Sequence, residues 1–93
     1  MKDKPYKQED IKPGMFRRTF DKNVDDGELQ WHRDKKNRHI KILSGSGWYL
    51  QMDNEMPQMM QVNSVYYVPK EKYHRVLKNR DCTNLVIFIK ETD

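Results

Sequence analysis

The sequence has one cysteine, four glycines, four prolines and no long apolar run. Cys82 alone permits no internal disulfide and fits a reducing compartment. No stretch approaches the roughly 18–20 apolar residues of a membrane span. The opening MKDKPYKQED lacks the apolar centre of a signal peptide. A soluble, cytoplasmic protein is expected on these grounds. Hydrophobic residues make up only 35% against 34% charged, a balance that leans toward disorder. The net charge of +4 is spread over interleaved acids and bases, which permits weak attraction to anions without indicating nucleic acid.

What is present argues for a fold. Aromatics make up 11%, and the apolar residues gather in short runs such as VYYV and LVIFI. Helical periodicity is missing, while short alternating runs recur between Gly, Asn, Asp and Pro. They read as strands over 15–20, 29–33, 39–43, 47–52, 58–62, 65–68, 74–78 and 85–90. Eight short strands in one 93-residue chain predict an all-β sandwich or barrel with a thin core. MDNEMP (52–57) reads as a hairpin turn. LVIFI reads as a strand buried on both faces or an edge covered by a partner. Residues 1–14 are charged, contain Pro5 and Pro13, and read as a polar N-terminal arm before a single domain over 15–93.

The stretch WHRDKKNRHIKILSGSG (31–47) holds the chemistry. Residues two apart on a strand share a face, so His32 and Asp34 point one way. Arg38, Ile40 and Ile42 follow on the same face after a short bend. Polar groups beside isoleucines describe the wall of a small pocket. They equally describe a strand with a few ordinary polar residues. His39 is turned away by the alternation. Met59 and Met60 read as gap-fillers.

The order of these features resembles the two motifs of the cupin family, over roughly residues 15–90. The first family motif is Gly, His-x-His, three or four residues, Glu, six residues, Gly. Here Gly27 precedes His32, Asp34 stands for the second histidine, Arg38 for the glutamate, and Gly45 closes the motif. In the second, Asn63 replaces the opening Gly, Pro69 matches, Glu71 replaces the second Gly, His74 matches, and Asn79 lies one residue past the family's Asn. The Trp-His-Arg-Asp stretch is also similar to one in short cupin-like proteins of marine phages and bacteria, which would put a phage-encoded chain in the host cytoplasm.

The resemblance implies a small double-stranded β-helix, a jelly-roll barrel, with a divalent transition metal inside. His32 and His74 carry over as metal ligands, and Asp34 is a carboxylate in place of an imidazole. Two histidines and one carboxylate form the set used by non-haem Fe(II) oxygenases, so iron is favoured, with Mn, Ni or Zn as alternatives. Arg38 cannot bind metal; it either pairs with Asp34 or clamps an anionic substrate. Arg38, Trp48 and Tyr67 are the expected substrate-binding residues, and a small, anionic molecule is the expected ligand. Three functions compete: a metal-binding cupin, including an iron-dependent oxygenase or related enzyme; a non-catalytic cupin that binds an anion without metal; and, least favoured, a nucleic-acid-binding barrel. Family analogy makes a homodimer the expected assembly.

Overall fold

The computed structural model describes residues 4–93. Eight strands form: β1 (Tyr6–Lys12), β2 (Met15–Phe20), β3 (Asn37–Ser44), β4 (Trp48–Met52), β5 (Gln58–Met59), β6 (Val65–Val68), β7 (His74–Lys78) and β8 (Leu85–Thr92). They make two antiparallel sheets, ordered β1-β2-β8-β3-β6 and β5-β4-β7. Among the described residues, no helix is long and apolar enough to cross a membrane.

Alternation explains how the sheets close on one core. On β2, Phe16 and Phe20 are buried; on β3, Ile40 and Ile42; on β4, Trp48 and Leu50; on β8, Leu85, Ile87 and Ile89. Each set lies at even spacing, so these strands turn one largely apolar face inward and the two sheets bury those faces against each other. Cross-strand register stacks these residues directly: Ile40 opposes Ile89, and Ile42 opposes Ile87. β8 is internal to its sheet, between β2 and β3, and its burial alternates along its length.

Two expected elements take other forms. Residues 6–12, within the stretch read as a polar arm, are strand β1, paired with β2 from Tyr6 opposite Phe20 onward. Six of its seven side chains are exposed, so composition conceals the strand. Residues 29–33 form no strand; only His32 makes a single bridge, to His74. The chain bends there after a short 3-10 turn (Asp26–Glu28), and side-chain hydrogen bonds from Gln30 to the Gly27 carbonyl and from His32 to the Gln30 carbonyl replace a ladder.

The two missing motif glycines leave a conformational trace. Asn63 and Glu71 both have positive φ, 73° and 65°. That left-handed conformation is natural for glycine, tolerated by asparagine and strained for glutamate. Glu71 holds it while donating its backbone N–H to the Asp34 carbonyl at 2.7 Å. Gly47 has φ 81°, and a Cβ there would lie 2.7 Å from the Cys82 Cα, so only glycine fits.

Candidate metal centre

A cavity of about 280 Å³ opens between the sheets at one end of the barrel. Its interior is apolar, and His32, Asp34, Arg38 and His74 line its polar side. His74 begins β7 and is buried; His32 sits at the mouth on the bend after the 3-10 turn. The two backbones bind each other reciprocally, His32 N to His74 O at 3.0 Å and His74 N to His32 O at 2.9 Å. Their rings lie 4.3 Å apart between centroids.

Each imidazole is oriented in the same manner. His32 Nδ1 donates to the Gln30 carbonyl at 3.1 Å, and His74 Nδ1 donates to the Lys72 carbonyl at 2.8 Å. A carbonyl oxygen only accepts, so Nδ1 carries the hydrogen in both rings. In the neutral rings Nε2 is then a lone pair, and both Nε2 atoms face Asp34. His74 Nε2 is 3.2 Å from Asp34 Oδ2, and His32 Nε2 is 4.0 Å from Oδ1. Oδ2 is buried and has no hydrogen bond of acceptable geometry. Two occupants would relieve this cluster of acceptors: a proton that makes His74 an imidazolium, or a cation shared by all three side chains. The three donor atoms lie within 4.8 Å of one another, so the donor set fits a metal ion.

Charge in the cluster is arranged around Arg38. Its Nη1 lies 3.2 Å from Asp34 Oδ1, while Nε and Nη2 both reach Glu91 Oε2, at 3.0 and 2.9 Å. Arg38 and Glu91 stand opposite each other in the β3–β8 register, which makes the pair a consequence of strand alignment. Two carboxylates, Asp34 and Glu91, thus share one guanidinium. Burial raises the Asp34 pKa, but His74 and the Arg38 charge outweigh it and hold the carboxyl below its ordinary range. Burial is also the main influence on His32; it lowers the pKa despite the opposing bond to Gln30, and His74 adds to the lowering. Both shifts keep the donors in the form a metal binds.

Of the six residues singled out from the sequence, four converge: His32, Asp34, Arg38 and His74 line one cavity. Trp48 and Tyr67 do not. Trp48 is fully buried at the other end of the barrel, its Nε1 donating to the Thr83 carbonyl at 2.6 Å. Tyr67 is half-exposed on the outer face, against His39, because it occupies an outward position of β6. Sequence reading missed Arg18 and Glu91. The signal was available in the alternation: Arg18 lies between inward Phe16 and Phe20, and Glu91 continues the inward series Leu85, Ile87, Ile89.

No protein-family model matches the sequence, and no curated protein matches it either. Solved structures do. An RmlC-like cupin family protein with a double-stranded β-helix fold from Methanocaldococcus jannaschii is 14% identical, with a TM-score of 0.74 over 97% of this chain and 82% of that one. A cupin domain from Bordetella pertussis is 14% identical, with a TM-score of 0.66 over 100% and 99%. Fe(II) HppE in complex with substrate is 7% identical, with a TM-score of 0.69 over 99% of this chain but 55% of that protein. At these identities the likeness is one of fold. The chain has the small cupin fold, an all-β double-stranded β-helix.

Proposed function

Starting from the cupin fold and the converging donors, we propose that this chain binds a divalent transition metal through His32, Asp34 and His74. The observation that carries the reading is the buried Asp34 Oδ2, 3.2 Å from the His74 Nε2, which in the neutral ring has no hydrogen to give it. Two nitrogens and one oxygen favour Fe(II), with Mn, Ni and Zn as alternatives. Asp34 keeps Oδ2 outside its pair with Arg38, which supports a cation there in spite of the nearby guanidinium.

An iron-dependent oxygenase or a related small-molecule enzyme is the activity we favour, on the two-histidine, one-carboxylate donor set and beside a neighbour of like fold, HppE, that holds Fe(II) and a substrate. When bound, the metal would supply oxygen chemistry or polarise a substrate oxygen. The chain's own residues do the rest. The carbonyls of Gln30 and Lys72 hold the two rings in one tautomer. Arg38 fixes the Asp34 carboxylate, Glu91 fixes Arg38, and the apolar walls limit water around a small substrate.

The test is elemental analysis of protein purified without a metal-binding tag, beside the His32→Ala/His74→Ala double variant. Near-stoichiometric metal in the natural protein and none in a folded double variant is the expected result. No metal in either, and no thermal shift on adding Fe(II), Mn, Ni or Zn, would sink the proposal. One observation favours a second reading, a metal-free pocket for a small anion: Arg38 already pairs with one oxygen of Asp34. Under it, the proton is the occupant between Asp34 and His74, and the metal assay separates the two.

A further inference from the structure

Arg38 is poorly placed to hold a ligand. Its Nε and Nη2 are engaged by Glu91 and its Nη1 by Asp34. The cavity has a second guanidinium, Arg18 on β2. Only its Nε has a hydrogen bond among the described residues, to Gln8 Oε1 at 2.9 Å, and it forms no ion pair among them. Its plane is supported instead by rings: the guanidinium carbon lies 3.9 Å from the Tyr6 ring centroid and 5.0 Å from that of Phe16. Such stacking leaves the in-plane N–H edge of the guanidinium available to an acceptor.

We propose that Arg18 is the anion anchor of this cavity and that the ligand is a small carboxylate with an apolar body. The proposal deepens the reading of this cavity as the functional site. Three observations support it. Arg18 is the one guanidinium lining the cavity, among the described residues, with no carboxylate within ion-pair distance. Burial is the main influence on it and lowers its pKa, so its charge is partly stripped of water yet persists at neutral pH. Phe20, Ile40, Leu50, Val76, Ile87 and Ile89 would receive a hydrocarbon body, while Glu28, which also lines the cavity, disfavours a second negative charge. One guanidinium fork matches one carboxylate. A phosphate dianion would bring more charge and more acceptor atoms than these walls can satisfy.

Binding of phenylacetate and isovalerate is measured by titration calorimetry on chelated protein, with phenylacetamide and inorganic phosphate as controls. The natural protein is expected to bind at least one of the acids, roughly tenfold or more tighter than the amide or phosphate. Arg18→Gln is expected to weaken that binding about tenfold or more, and Arg18→Lys to retain part of it. Circular dichroism and thermal melting check that both variants fold; if Gln does not, Lys against the natural protein and the acid against the amide still decide. Binding of neither acid, equal binding of amide and acid, or unchanged binding in a folded Arg18→Gln would overturn the proposal. Because the protein is metal-free throughout, the outcome is independent of the elemental analysis. Metal found in the elemental analysis, with neither acid bound by the chelated protein, sinks this inference alone.

Discussion

The interior of this barrel has two ends built by the same strands. At one end, Ile42, Trp48 and Leu85 form a dry cluster, and Phe20, which also walls the cavity, packs on it 5.7 Å from Trp48 between ring centroids. At the other end the inward positions become Arg18 on β2, Arg38 on β3, His74 on β7 and Glu91 on β8. On β2 and β8 the inward alternation continues from one end to the other; only the chemistry at the inward positions changes. One end supplies free energy of folding, and the other uses part of it to hold charged groups together out of water.

Substitutions rank the two ends. Trp48→Ala empties the largest buried position of the dry end and is expected to cost about 3–5 kcal/mol, measured by urea denaturation. At the polar end, Arg38→Met leaves Asp34 and Glu91 without their cation and is expected to cost about 3 kcal/mol. The comparison sharpens in the double variant Arg38→Met/Glu91→Met. If the pair mainly balances its own desolvation, removing both partners costs much less than removing Arg38 alone. Equal costs would mean that the polar end adds stability as the dry end does.

Acid should act on the polar end. The folded pKa values of His32 and Asp34 both lie below their ordinary values, so the unfolded chain binds protons at higher pH than the folded one. Stability of the metal-free protein is therefore expected to fall as the pH drops through the ordinary imidazole range. It should fall again through the carboxylate range, and be retained above both. Urea midpoints across that range check it, and His32→Ala should remove the first decline. The smallest effect is expected from Glu71→Gly. It relieves a left-handed backbone at a position the family fills with glycine, and should stabilise by about 0.5 kcal/mol once glycine's extra flexibility is counted. A loss of stability there would mean that the Glu71 side chain, and not its backbone, matters.

Legibility in the sequence followed the same division. β2 and β7 coincide with the alternating runs MFRRTF and HRVLK, and β6 with VYYV. The motif order brought His32, Asp34, Arg38 and His74 to one cavity because face and spacing are local properties. Three things were not legible. β1 has hardly any buried side chain to mark it, and its pairing depends on a partner strand. Residue type alone marks Trp48 and Tyr67, whereas inward or outward orientation, and which end of the barrel, decide access. Glu91 lies 53 residues from Arg38, and only the β3–β8 register makes them neighbours.

The reciprocal main-chain bonds between His32 and His74 have a consequence for engineering. Because backbone atoms set the spacing of these two positions, the spacing does not depend on which side chains they carry. The barrel therefore offers a fixed two-point template at its mouth. Cysteine, aspartate or glutamate can be installed at 32 and 74, one or both, to ask how donor identity alone changes what the site holds, while the scaffold stays constant.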